Sequence, residues 1–274
     1  MAQDACSRAC AVIVAGGSGT RFGNPGGKLL IEVAGRPLLA WTLAAFDAAA
    51  QIGYIVVVCK PTQYDEIRRA VVEPFGFAAP ITFAPSGAER QDSTRNGMDA
   101  VPAGFDIIAV HDGARPLIQP ATIDGAIQAL VAADADRLVT GAESDTRANE
   151  GVGAPYPAKC RTACASVSHV LDGVVCGQPA IDTLKVIDAD GNFVETPPRA
   201  QFWTVQTPQV FWLDSLRRAY AWANETGFVG TDDSSLVEGM GGRVRGFDSP
   251  RDNLKVTLPE DLAPVEAALL SRLQ

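Results

Sequence analysis

The stretch Ala11 to Leu30, AVIVAGGSGTRFGNPGGKLL, decides how the rest of this chain is read. It opens on Ala11-Val12-Ile13-Val14, the pattern of a strand buried on both faces of a parallel sheet. Large side chains then disappear at Ala15, Gly16, Gly17, Ser18 and Gly19. Backbone without Cβ atoms can take positive φ and come close to a ligand, and its successive N–H groups can point at one anion. Arg21 and Lys28 bracket a second Gly/Pro-rich turn, Gly23 to Gly27. The most economical function for such a loop is to wrap a nucleoside triphosphate and set two positive charges against it.

Neither standard phosphate motif fits. A P-loop needs Ser or Thr after its lysine, and Leu29 follows Lys28. The dinucleotide fingerprint fits Gly17-Ser18-Gly19-Thr20-Arg21 but then meets Phe22 in place of glycine.

Downstream, Leu38 to Ala50 carries apolar residues at helical spacing behind the turn Gly35-Arg36-Pro37. Tyr54 to Cys59 reads as a second buried strand, Pro61 to about Val72 as a helix, and Ile81 to Phe83 as a third strand. This alternation predicts an α/β fold with a parallel sheet and right-handed crossovers. The polar segment Ser86 to Met98, with Arg90, Ser93 and Arg95, follows the third strand, where open α/β sheets bind ligands; it also suits a capped helix start with solvated charges. A fourth strand, Phe105 to Val110, runs into His111-Asp112-Gly113-Ala114-Arg115-Pro116. A carboxylate and a guanidinium at a strand end suit a metal-bound phosphate and a second anion, and strand-end loops carry function disproportionately. The alternative is a structural Asp–Arg pair, and His111 reads as a hydrogen-bonded structural residue.

Thr122 to Ala133 reads as a helix, and 134–170 as an insertion or long mobile loop. Leu171 to Cys176 reads as a strand. Thr183–Ile187 and Asn192–Thr196 flank an Asp-Gly turn, a hairpin arm over 180–200 that cannot be stable alone. In Trp203 to Phe211, the polar Gln206-Thr207-Pro208-Gln209 reads as a turn into the helix Leu213–Glu225. Thr231 or Asp232 can cap a helix through Val237. Val244 to Phe247 reads as a strand, Lys255 falls in another short one, and Pro259 opens the last helix. Residues 1–274 read as one domain plus the arm.

Composition sets limits. The chain has 274 residues, 47% of them apolar, and a net charge of −9. That charge argues against bulk nucleic-acid binding, but a local cluster of cations still suffices for a small anion. No run reaches the ~18 apolar residues of a membrane span, and the start MAQDACSRACAVIVAGG does not resemble a signal peptide. A cytoplasmic protein without membrane or nucleic-acid partners is expected. Cys6, Cys10, Cys59, Cys160, Cys164 and Cys176 form no disulfide framework. Cys160, Cys164, His169 and Cys176 lie close together in sequence, either as a zinc site or as ordinary thiols.

Taken together, AGGSGTRFG…GGKLL, SGAERQDS, VHDGARP, DTLK, WTVQTPQVF, GTDDSSLVE and DNLKVTLPEDL follow the order and spacing of one family. The chain resembles the 2-C-methyl-D-erythritol 4-phosphate cytidylyltransferases and, beyond them, the ribitol 5-phosphate cytidylyltransferases. The resemblance covers nearly the whole chain outside 134–170, for which it offers no counterpart. It implies a Rossmann-like nucleotidyltransferase sheet with a protruding β-hairpin dimerisation arm, and a homodimer locked by exchanged arms. It implies transfer from CTP to a sugar-alcohol phosphate with Mg²⁺, releasing pyrophosphate. By the same resemblance, Ala15, Gly16 and Gly17 line the nucleotide, with Gly87 and Ser93 at its base and ribose. Arg21 and Lys28 stabilise the reacting phosphates. Asp112, Gly113 and Lys255 hold the nucleotide and its metal-phosphate group, though no metal ligand is assigned. Arg115, Thr183 and Thr231 match the sugar-phosphate site, and Arg199 reaches it from the partner subunit as a catalytic arginine. Ala88 stands where the family often has an acidic residue. A catalytically silent nucleotide-binding scaffold is the contrasting expectation.

Overall fold

The structure, a computed structural model, describes residues 9–17, 22, 27–140 and 169–274. Its main sheet is built from β1 (Ala9–Val14), β2 (Ile52–Cys59), β3 (Ile81–Pro85), β4 (Ile107–Asp112), β5 (Gly173–Pro179), β6 (Trp203–Trp212) and β7 (Val244–Asp248). Their spatial order is β7-β5-β6-β4-β1-β2-β3. β1 pairs in parallel with β2 and β4, and β3 extends β2 in parallel.

Side chains alternate between two cores. Ala9, Ala11 and Ile13 of β1 face one with Leu39, Leu43 and Phe46 of α1 (Leu38–Asp47). Cys10 and Val12 face the other with Met98 of α2 (Arg90–Asp99) and Leu216 and Tyr220 of α4 (Leu213–Thr226). α3 (Pro120–Thr140) covers the α1 face and α5 (Asp233–Gly239) the α2 face. Each fully buried Val, Leu, Ile or Phe side chain contributes ~1.5–3 kcal/mol, so the doubly covered central strands anchor the layers. A smaller cluster joins Phe22, Leu38, Leu117 and Val256 to Val265 and Leu269 of α6 (Leu262–Arg272).

Four expectations are corrected. The sheet is mixed, because β6 runs antiparallel to both β4 and β5. Gln206 to Gln209 lies within β6 as a register break between Val205 and Gln209, not as a turn into a helix. Its polar groups are tolerated inside because each finds a partner, as described below. Residues 134–140 continue α3, while 141–168 lie outside the described residues. Lys255 is not in a strand; its segment is irregular and is pinned where the Val256 amide donates to the Ala114 carbonyl at 2.9 Å.

The hairpin predicted within 180–200 forms between Val186–Ile187 and Phe193–Glu195, as a two-stranded sheet separate from the main one.

Candidate active site

In open α/β sheets ligands bind beyond the carboxyl ends of the strands, where the chain order reverses. Here that point lies between β1 and β4. Val14 stands opposite Asp112, and the Gly113 amide donates to the Val14 carbonyl at 2.9 Å. The two sequence segments singled out first, the glycine loop and the His-Asp-Gly turn, therefore leave the sheet side by side.

Ala15 is buried and its N–H donates to the Val58 carbonyl at 2.7 Å, so it anchors the loop to β2 and cannot offer that amide to a ligand. Gly16 is compressed: a Cβ there would stand 2.2 Å from Ser86 Cβ. Gly17 is exposed and a Cβ there would meet nothing within 4 Å. Free amides begin beyond Ala15, on a segment held against the Ser86–Gly87 loop. Residues 18–21 and 23–26, with Arg21 among them, lie outside the described residues. Phe22, the residue that broke the glycine fingerprint, is buried against Leu38 and Val256 and fastens this loop to the Lys255 segment. Lys28 opens a 3₁₀ turn, and its ammonium donates to the Val256 carbonyl.

Asp112 forms the electrostatic centre. Its Oδ2 lies 2.9 Å from Lys255 Nζ and 3.2 Å from Arg115 Nε, and Arg90 Nε stands 3.9 Å from Oδ1. Burial by itself would push this carboxyl up, but Lys255, Arg90 and Arg115 outweigh it and hold the group well below the usual carboxylate range. Arg90 is also paired with Asp233 at 2.8 Å, so three cations meet two carboxylates and one positive charge is left over, which favours an anion at this point. Arg115 also donates to the Asn253 carbonyl at 2.9 Å, and Asn253 Nδ2 to the Thr207 carbonyl at 2.8 Å and Gln206 Oε1 at 3.1 Å. The polar residues of β6 thus hold the Lys255 segment in place. Arg115 combines the bracing role with its place beside the cluster.

Behind Asp112, the Thr207 hydroxyl accepts from the Asp112 amide at 3.1 Å and lies 3.0 Å from His111 Nδ1. His111 Nε2 lies 3.4 Å from the Arg115 carbonyl, which can only accept. That assigns the neutral imidazole with its proton on Nε2. Burial, reinforced by Arg115, drives the His111 pKa down to about 3. His111 is structural, as its sequence context indicates.

At the head of α2, Gly87 N–H donates to Ser93 Oγ at 3.0 Å, and Ser93 Oγ donates to the Glu89 carbonyl at 3.1 Å. A Cβ on Gly87 would stand 2.1 Å from Asp92 Cβ. Across the crevice Asp232 caps α5, accepting from the Ser235 amide at 2.9 Å, and Gln209 Nε2 donates to Asp232 Oδ2 at 2.6 Å. Thr231 is exposed in the preceding turn. Thr183 and Arg199 lie on the exposed arm, where Arg199 Nη1 donates to the Ile181 carbonyl at 2.7 Å. From sequence, Arg90 is named in its polar segment without a role, and Thr207, Gln209 and Asn253 are missed as site residues. The only sequence signal for them was their position inside the conspicuous segments.

Among the described residues no cluster of His, Cys, Asp and Glu suits a metal ion. Of the four residues considered for zinc, Cys160 and Cys164 lie outside the described residues. His169 faces carboxylates on both ring nitrogens, Asp134 at 2.5 Å and Asp214 at 3.4 Å, and Cys176 is buried with its thiol pushed up to about 12 by burial.

A glycine loop and a cation-ringed carboxylate at the reversal point of such a sheet are the marks of a nucleotidyltransferase. The sequence profile of the family 2-C-methyl-D-erythritol 4-phosphate cytidylyltransferase matches residues 9–147 and 156–271. A relative of that name from Caldanaerobacter subterraneus subsp. tengcongensis is 34% identical over 94% of this chain and 97% of its own. Another from Syntrophotalea carbinolica is 35% identical over 94% of each. The crystal structure of that cytidylyltransferase from Thermus thermophilus superposes with a TM-score of 0.65 at 26% identity, covering 96% of this chain and 98% of its own. The 4-diphosphocytidyl-2C-methyl-D-erythritol synthase of Anaerococcus prevotii shares the fold, with a TM-score of 0.72 at 24% identity and 96% of both chains covered.

The chain belongs to the 2-C-methyl-D-erythritol 4-phosphate cytidylyltransferase family and is a nucleotidyltransferase. Within the stretch 134–170, the profile match leaves out residues 148–155.

Proposed function

We propose that this protein joins CTP to 2-C-methyl-D-erythritol 4-phosphate, giving the cytidine diphosphate alcohol and pyrophosphate. The observation that carries the assignment is Asp112, ionised among Lys255, Arg115 and Arg90 beside the glycine loop, in a chain of this family. An oxygen of the sugar phosphate attacks the α-phosphorus of CTP, and the bond from that phosphorus to the bridging oxygen breaks to release pyrophosphate. The attacking phosphate is already ionised at neutral pH, so the task is to bring two polyanions together and stabilise the transition-state charge. Lys28 and Lys255 are assigned to that charge with Arg21. Gly16, Gly17, Gly87 and Ser93 are assigned to the nucleotide with Ala15 and Gly113, and Arg115 and Thr231 to the sugar phosphate.

Mg²⁺ would come with CTP: it prefers oxygen ligands, and with no ready-made metal cluster among the described residues the substrate phosphates would supply most of them. Asp112 would hold it, through the oxygen that has only the 3.9 Å contact with Arg90. Bound there with CTP, the ion would neutralise phosphate charge as a Lewis acid.

A homodimer through exchanged arms is part of the proposal. Phe193 is 73% exposed and Val194 60% on a hairpin too small to be stable alone; a second copy would cover them and bring its Thr183 and Arg199 to this site. No helix among the described residues is long and apolar enough to cross a membrane, and a cytoplasmic location completes the reading. The ribitol 5-phosphate alternative finds no support in the relatives named above. The test is pyrophosphate release from CTP and Mg²⁺ with each sugar phosphate separately. Turnover with the methylerythritol phosphate is expected, and turnover with ribitol 5-phosphate alone would overturn the assignment. Lys28→Ala should abolish release in a folded protein.

A further inference from the structure

We infer that Arg90 is a positioning residue that fixes Asp112 and the 230–233 turn to the nucleotide loop as one rigid frame, with Tyr220 as its anchor. The inference rests on the site assignment above. Arg90 is the first residue of α2, directly after the Glu89 cap, so its backbone moves with Gly87 and Ser93. Its guanidinium reaches two other elements. Nε stands 3.9 Å from Asp112 at the end of β4, and Nη1 lies 2.8 Å from Asp233 Oδ2 at the start of α5. Asp233 is 1% exposed, and its Oδ1 accepts from the Tyr220 hydroxyl of α4 at 2.6 Å. Next along α2, Gln91 Oε1 accepts from the Gly230 amide at 3.4 Å, a second tie across the same gap.

The planar guanidinium is the group that can serve two carboxylates in different directions; an ammonium on a Lys stem offers no such fork. A buried carboxylate with both oxygens committed has one orientation, so Tyr220 fixes Asp233, Asp233 fixes Arg90, and Arg90 limits Asp112. Thr231 and Asp232 sit in the turn that this pair holds. The nucleotide and acceptor halves of the crevice are thereby kept in register, and in-line attack depends on that register: misplacement by ~1 Å can cost a factor of ~10².

The test compares Arg90→Gln, Arg90→Lys and Tyr220→Phe with the wild type in the pyrophosphate assay, alongside thermal melts and amide exchange over 229–235. Arg90→Gln and Arg90→Lys are each expected to lower kcat ~10²-fold, with KM for CTP changed by less than ~3-fold. Tyr220→Phe, which keeps both charges, should lower kcat several-fold with little change in melting. In every variant exchange over 229–235 should quicken. Lower melting with kcat of the folded protein intact would overturn the inference in favour of a merely structural pair. A rise in KM for CTP at constant kcat would overturn it in favour of a direct nucleotide contact. Should Arg90→Gln not fold, Tyr220→Phe decides, and its unchanged kcat and exchange would sink the idea. Absence of turnover in the wild type would instead refute the proposed function, and the exchange comparison would still judge the frame.

Discussion

Lys255 Nζ lies 2.9 Å from Asp112 Oδ2, joining an irregular segment near the end of the chain to the tip of β4. Lys255 is partly exposed, whereas Asp112 is buried, so the ammonium projects towards the crevice from a fixed counter-charge. Lys255→Ala is expected to lower pyrophosphate release by a factor of ~10²–10³, the usual cost of deleting one donor to transition-state charge. Because Arg115 and Arg90 still face Asp112, the melting temperature should change little. Asp112→Asn should differ, leaving Lys255 and Arg115 without their carboxylate while Arg90 keeps Asp233, and should lower both activity and melting temperature. Parallel kinetics and calorimetry on the two variants check this; equal melting of both would count against the central placing of Asp112.

The three loop glycines should separate by mechanism. An alanine at Gly16 would place its Cβ 2.2 Å from Ser86 Cβ, and one at Gly87 2.1 Å from Asp92 Cβ, so both variants must shift backbone. Gly16→Ala and Gly87→Ala are expected to lower stability and CTP binding together. Gly17→Ala has open space around it. It should melt like the wild type yet bind CTP less tightly, because the new methyl lies where the nucleotide would approach. Calorimetric titration with CTP checks both halves, and unaltered affinity in Gly17→Ala would remove that residue from the site.

The parallel half of the sheet was legible because β1, β2 and β4 are buried on both faces and read as unbroken apolar runs. β6 was not, for a definite reason. Gln206, Thr207 and Gln209 are polar residues inside a strand, and what allows them there is Asn253, His111, Asp232 and Ser234, all distant in sequence. Local pattern cannot show such partners. Arg90 was hidden in the same way: Asp112 and Asp233 define its role, and nothing local distinguishes it from the solvated Arg95, whose Nη2 meets only its helix neighbour Asp92. Phe22 illustrates the reverse. It reads as a defect in a glycine motif and is the apolar pin between its own loop and the Lys255 segment.

The buried imidazole of His111 predicts a pH dependence of stability. Its folded pKa is lowered from 6.5 to about 3, so between these values the unfolded chain binds a proton that the folded one does not. Stability contributed in this way is complete above about 6.5 and falls as the pH drops towards about 3, by up to ~1.4 kcal/mol per pH unit. Burial gives the reason: a charged imidazolium would lose its hydration in this fully enclosed place, and Arg115 adds to the cost. His111→Gln is expected to be less stable at pH 7 but to lose less stability between pH 6.5 and 5 than the wild type. Denaturant titrations at several pH values check this, and parallel curves for the two proteins would contradict it.

The arm gives the remaining prediction. Ile187 and Phe193 face each other in its register, and both are largely exposed, as is Val194. Within the hairpin, Lys185 Nζ donates to Thr196 Oγ1 at 2.7 Å and lies 5.6 Å from the Phe193 ring centre. Such exposed contacts add little in water, and a lone two-stranded hairpin is marginal. If a second copy covers it, Phe193→Glu should convert a dimer into a monomer, because a carboxylate would replace an apolar side chain at the centre of the contact. Activity should fall with the dimer, since Thr183 and Arg199 would no longer reach the neighbouring site. The main sheet does not pair with the hairpin, so the melting of the variant should be governed by its own two cores. Light scattering after size exclusion, combined with the pyrophosphate assay, checks the three consequences together. A variant that remains dimeric and fully active would show that the arm does something other than join two copies.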